Sequence, residues 1–150
     1  VLISYQCADN ICCINELDPR HAAILAAHIN AETGFDMEAT LATLSPDCVF
    51  EDMPSGERYA GREAVRRYYA NWWGAFGNVP EGSRRYVVSP DMFIVETRFV
   101  GQHRGSWEGI APTGRRIDLP IAIFVSFRDG LMSGERFYYD RATLRAQLGV

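Results

Sequence analysis

RRIDLPIAIFVSFRDGLMSGERFYYD, residues 115–140, is the stretch that decides the fold class. Two strand-like runs, 115–127 and 131–139, flank Asp129-Gly130, and Asp-Gly between two such runs is a strong signal for a two-residue hairpin. Upstream, 83–89, 91–101 and 103–110 also read as strands, and Pro112-Thr113-Gly114 marks another turn. Turns this short join antiparallel neighbours. The first half of the chain has a different period. Asp18-Pro19 offers an N-cap with proline at the first helical position, and Ile24, Leu25, His28 and Ile29 then recur on one face until Gly34. Asp36 opens a second, shorter helix, with Met37, Leu41 and Leu44 at i, i+4 and i+7, which Ser45-Pro46 ends. CVFED, 48–52, reads as a short strand, and MPSGERYAG as a turn-rich link to a third helix starting near Arg62. Its Val65, Tyr68, Tyr69, Trp72 and Phe76 form a broad aromatic face opposite Arg62, Glu63, Arg66 and Arg67. Helices first and strands afterwards predict an α+β fold, three N-terminal helices packed on a curved, mostly antiparallel sheet.

The 150 residues, 47% hydrophobic and 23% charged, suit one core. Residues 18–150 are read as a single domain, and 1–17 as an N-terminal extension given no function. No apolar run approaches the roughly 20 residues a membrane helix needs. A net charge of −4, from 19 acidic and 15 basic residues, argues against a nucleic-acid partner. All fifteen basic residues are arginine, so Schiff-base chemistry and a Walker-type phosphate loop drop out. Cys7, Cys12, Cys13 and Cys48 have no zinc-site spacing, and the opening VLISYQCADNICC lacks a signal-peptide pattern, so a cytoplasmic location is expected. Neither HExxH nor CxxC occurs, and neither GxSxG nor GxGxxG. No metal and no cofactor are expected.

A sheet closed by helices leaves an apolar pocket, and the candidates for chemistry are the polar groups near it. Asp52 ends the first strand beside Met53-Pro54; burial would raise its pKa and make it a base near neutrality, and capping the following turn is the alternative. Asp140 closes RFYYD with Tyr138 and Arg136 at the same parity. If that face is the concave one, a carboxylate, a phenol and a guanidinium share the pocket. Asp140 as the N-cap of a terminal helical turn is the commoner alternative. His103 could act as acid, base or donor, and His28, on the stripe of helix one, could reach across the pocket; for both a structural role is the commoner alternative. His21 is expected at the surface. Tyr68, Trp72 and Trp107 could wall a site for a flat ring-bearing ligand, or simply pack.

CVFEDMPSGERYAGREAVRRYYAN and WEGIAPTGRRIDLPIAIFVSFRDGLMSGERFYYDRATLRAQLG together resemble the nuclear transport factor 2-like superfamily, and within it the SnoaL-like polyketide cyclases. The resemblance spans about residues 20–149 and is most specific in the PTGRR turn, the RDG hairpin and the YYDRATLRAQLG tail. It implies a cone of helices on a bent antiparallel sheet, homodimers formed through the sheet, and a cofactor-independent intramolecular aldol closure. It also implies that Asp140 stands at the position of the cyclases' acid–base aspartate. Ser126 stands where the cyclases carry a histidine, which removes that proton carrier. VFEDMPSG is similar to the first strand of ketosteroid isomerases, and the resemblance makes Asp52 the counterpart of their base, with Met53 interposed before Pro54. Their oxyanion-hole positions fall near Ala27 or His28 and within the apolar IAIFV, 121–125.

The expected function is cofactor-independent acid–base catalysis on a hydrophobic, ring-bearing or polyketide-like carbonyl compound, as an aldol-type cyclase or an isomerase. Asp140, Asp52 and His103 are the catalytic candidates. Tyr138, His28, Tyr68, Trp72, Trp107 and Arg136 are the substrate-binding ones. An epoxide hydrolase or dehydratase, and a non-catalytic ligand-binding or dimerisation module, are the alternatives.

Overall fold

The computed structural model describes residues 11–13 and 16–150. The Cys7 reading and most of the 1–17 segment lie outside these residues. The elements run β1 (Ile11–Cys13), α1 (Pro19–Thr33), α2 (Met37–Ala42), β2 (Leu44–Asp52), β3 (Glu57–Ala60), α3 (Arg62–Phe76), β4 (Val79–Ser89), β5 (Met92–Gln102), β6 (Arg116–Arg128), β7 (Leu131–Tyr139) and α4 (Arg141–Leu148). The strands form one open sheet in the order β1-β4-β5-β6-β7-β2-β3. Its long strands β4 to β7 are antiparallel, while β1 on β4 and β2 on β7 are parallel. The α+β cone expected from the sequence is the observed architecture.

Local signals explain the elements. Asp18 accepts from the Arg20 N–H and Pro19 occupies the first turn of α1; Asp36 accepts from the Ala39 N–H at the start of α2. Asp129 (φ 54°) and Gly130 (φ 79°) make the two-residue turn between Arg128 and Leu131. The apolar alternation of β6 buries Ile117, Leu119, Ile121, Ile123, Val125 and Phe127 in the same core as the aromatic face of α3.

Three expectations change. Residues 103–110 form a loop carrying one isolated bridge, Trp107 with Ile110, because His103 N–H turns to the Arg115 carbonyl and Arg104 N–H to Ala75. β2 starts at Leu44, before Ser45-Pro46, and part of the turn-rich link is β3, paired with β2. His21 is buried instead of exposed: its Nδ1–H donates to the Pro90 carbonyl at 3.0 Å, its Nε2 accepts from Gly130 N–H at 3.2 Å, and its ring stacks on Phe127. It thereby ties α1 to two strand turns.

Candidate active site

β2 delivers Asp52 to the inner face of the sheet. Alternation buries Cys48, Phe50 and Asp52 together, and the parallel register sets Phe50 beside Glu135 and Asp52 beside Phe137 of β7. Asp52 is only 5% exposed. Its Oδ2 accepts from the Tyr139 hydroxyl at 2.9 Å and its Oδ1 from the Ser55 N–H at 3.2 Å. The turn-capping and buried-carboxylate readings therefore hold together. Burial pushes the Asp52 pKa up, and the hydrogen bonds from Tyr139 and Ser55 pull part of the way back. The Tyr139 phenol is pushed upward by burial and by the neighbouring carboxylate, so it stays a donor.

Asp52 lines a chamber of about 240 Å³ with Asn71, Trp72, Ser106, Trp107 and Glu108, and with Glu57 and Tyr59 from β3. Trp72 is carried in by α3 and Trp107 by the loop after β5; their rings lie 6.5 Å apart, and Trp72 meets the Tyr139 ring edge-on at 5.6 Å. Of the expected residues, then, Asp52, Trp72 and Trp107 converge. The carboxylate supplies a base, and the Asn71 amide, the Ser106 hydroxyl and the indole N–H groups are donors of the kind that meet a developing oxyanion. Among the described residues no three His, Cys, Asp or Glu side chains are grouped as metal ligands.

The other candidates fall elsewhere. Asp140 is exposed at the start of α4, accepting from the Ala142 N–H at 2.9 Å and the Thr143 hydroxyl at 2.6 Å, and these bonds hold its pKa below the usual carboxylate range. Tyr138 (38% exposed) and Arg136 are on the outer face, where both pack on Phe124. The face of Asp140 is thus not the concave one. Glu135, Phe137 and Tyr139 turn inward because Ser133 is bulged: Phe127 pairs with Met132 and Ser126 with Gly134. Tyr68 lines no part of the chamber; it stacks on Phe137 at 4.8 Å in the core. His103 is buried against Phe76, its Nδ1 taking the Thr113 N–H, and it holds the Pro112–Gly114 turn instead of facing the chamber.

His28 and Asp52 line no common cavity. His28 lines a different one, between α1 and the inner sheet face, with Glu32 and Glu135. Its Nδ1 is 2.7 Å from Thr43 Oγ1 and its Nε2 3.1 Å from the Tyr69 hydroxyl.

Sequence reasoning passed over Tyr139, Asn71, Tyr59, Ser106 and Glu108. Tyr139 shares the parity of Phe137, but the sequence does not say which face of β7 turns inward. The loop residues carried no signal.

Residues 22–148 match the SnoaL-like polyketide cyclase family along nearly the whole described chain. The chain belongs to that family. No curated relative matches it. Among solved structures, this SnoaL-like protein is similar to a candidate polyketide cyclase from Xanthomonas campestris pv. campestris, at 23% identity over 86% of this chain and 96% of that one, with a TM-score of 0.77. A candidate polyketide cyclase from Silicibacter sp. tm1040 gives 20% identity, 89% and 98% coverage and a TM-score of 0.78. A hypothetical protein from Catenulispora acidiphila, with a ketosteroid isomerase-like fold and crystallised with trimethylamine, gives 20% identity, 89% and 95% coverage and a TM-score of 0.65. These likenesses establish the fold, and no helix among the described residues is long and apolar enough to cross a membrane.

Proposed function

We propose that this SnoaL-like protein is a cofactor-independent acid–base catalyst acting on an apolar, ring-bearing carbonyl compound, with Asp52 as the base. The observation that carries this reading is the buried Asp52 carboxylate on the wall of a chamber edged by two indoles. Asp52 takes the proton from the carbon beside the substrate carbonyl, and the electron pair moves onto the carbonyl oxygen as an enolate. Burial makes the carboxylate a stronger base than one in water. Tyr139 holds it in place, while Trp72 and Trp107 supply apolar walls for the ring. The enolate then either recovers a proton at a vinylogous carbon, which is isomerisation, or attacks a second carbonyl of the same molecule, which is aldol cyclisation. Asp140, fully engaged as a helix cap, has no part in this scheme. The same reading includes a homodimer through the outer sheet face, which sedimentation velocity tests.

Solvent-deuterium incorporation into cyclic ketones and β-ketoesters, followed by mass spectrometry, tests the assignment. Asp52→Asn is expected to lower exchange by about 10²–10⁴-fold, and Asp140→Asn to leave it near wild type. Full exchange in Asp52→Asn would remove Asp52 as the base.

A further inference from the structure

The Asp52 chamber holds more carboxyl groups than one base requires. Asp52, Glu57 and Glu108 all line it, and none of its lining residues is basic. Arg141, at the start of α4, reaches Glu108 and pairs with it. Glu57 makes no ion pair among the described residues; it accepts from the Tyr59 hydroxyl, as Asp52 does from Tyr139. A phenol satisfies a lone pair without cancelling its charge. Burial and the Glu57 and Asp52 carboxylates push the Tyr59 phenol upward, so it stays a neutral donor.

Aromatic rings make up much of the remaining wall. Trp72 and Trp107 are both buried, and their rings, 6.5 Å apart and inclined at 54°, form two sides of a corner. Tyr59 adds a third ring from β3. The face of such a ring is the negative end of its quadrupole and attracts a cation most strongly where water is excluded. A neutral ketone would use the indoles and leave Glu57 idle, and an anionic one would be repelled by the carboxyls. A cationic ligand uses both.

The reaction sharpens this demand. When Asp52 takes a proton from carbon, its negative charge reappears on the carbonyl oxygen of the enolate, in the same chamber as Glu57 and Glu108. Asn71 and Ser106 offer only neutral donors to that oxygen. A positive group on the substrate itself supplies the counter-charge that the lining lacks, and the attraction grows as the enolate forms.

We propose that the Asp52 chamber takes a ring ketone bearing a protonated or quaternary amine, its ammonium seated among Trp72, Trp107, Glu57 and Glu108 and its carbonyl end toward Asp52. This rests on the reading of Asp52 as the base and names the charge of the molecule that the base acts on.

The probes are 4-acetyl-N,N,N-trimethylanilinium and 4-tert-butylacetophenone, which share shape and acetyl group and differ by a quaternary nitrogen in place of a carbon. Calorimetric titration of wild type is expected to show the ammonium binding about tenfold more tightly. Glu57→Gln should cut that preference about threefold, and Trp107→Leu, which keeps an apolar wall but removes the ring, by a similar factor of about three. Glu57 is exposed on the short strand β3, so its variant reads the charge even if Trp107→Leu does not fold. Equal affinity of the two probes for wild type overturns the proposal, and so does a preference that neither substitution reduces. Equal affinity together with Asp52-dependent deuterium exchange into the neutral probe would sink the cation alone. Failure of the base reading looks different: the ammonium preference would remain, while neither probe nor any cyclic ketone exchanged deuterium.

Discussion

Replacing Glu32 by Gln should make the protein more stable at pH 8 than the wild type while leaving it nearly unchanged at pH 4. Burial raises the Glu32 pKa from 4.5 to about 7, so the folded state holds this proton more tightly than the unfolded chain does. The stabilisation linked to the bound proton is fully present below the unfolded value and is lost as pH rises through about 7. At about 1.4 kcal/mol per pH unit, forcing the carboxylate to ionise in place costs roughly 3 kcal/mol. The side chain is 26% exposed, and water screens part of that cost, leaving about 2 kcal/mol. Glutamine carries no such penalty, and removing the Glu32 charge also relieves Glu135. In thermal denaturation, the Tm of Glu32→Gln minus that of wild type should rise by about 4–8 °C between pH 4 and pH 8, at ~2–4 °C per kcal/mol for a chain of this size. A Tm difference that does not change with pH, or one that favours the wild type at pH 8, would refute the reasoning.

Tyr139→Phe removes the donor on Asp52 Oδ2, so the Asp52 pKa should move further up and the acidic limb of the exchange–pH profile should shift by about one to two pH units toward higher pH. Asp140→Ala strips the N-cap of α4 and should cost about 1 kcal/mol in urea denaturation while exchange activity persists; lost exchange in a folded variant would return Asp140 to the site. At Gly134→Ala, the added Cβ would stand 2.3 Å from the Val49 carbonyl oxygen. The parallel pairing of β2 and β7 must then open, and a loss of more than about 2 kcal/mol is expected in the same assay; a neutral effect would mean that the two strands part easily.

The helices, the Asp-Gly hairpin and the α+β order were legible because each rests on local chemistry: caps at Asp18 and Asp36, positive φ at residues 129 and 130, and two-residue alternation in β6. Asp52 and the two indoles were also legible as separate candidates, the carboxylate because it ends an apolar strand and the indoles as walls for a flat ligand, but their meeting in one chamber was not. What could not be read was which face of β7 points inward. Ser133 is one extra residue opposite β6, and a bulge resets the alternation without a signature that distinguishes Ser-Gly there from an ordinary polar pair. That reset puts Glu135 and Tyr139 inside and leaves Asp140 to α4. Residues 103–110 carry strand-like residues but bend, because their N–H groups find the end of α3 and Arg115 before a neighbouring strand. Such competition among distant partners is invisible until the chain is folded.

Trp72 and Trp107 come from a helix and a loop distant in sequence, yet their rings sit 6.5 Å apart. Two indole chromophores so close and fixed couple optically through their strong far-ultraviolet transition, so the native circular dichroism should carry there a signed pair of bands that neither ring produces alone. Because one partner rides on α3 and the other on the loop after β5, loosening of that loop would erase the couplet while the helix bands at shorter wavelength persist. The protein thus has a built-in spectroscopic ruler at the wall of the Asp52 chamber, readable without any label.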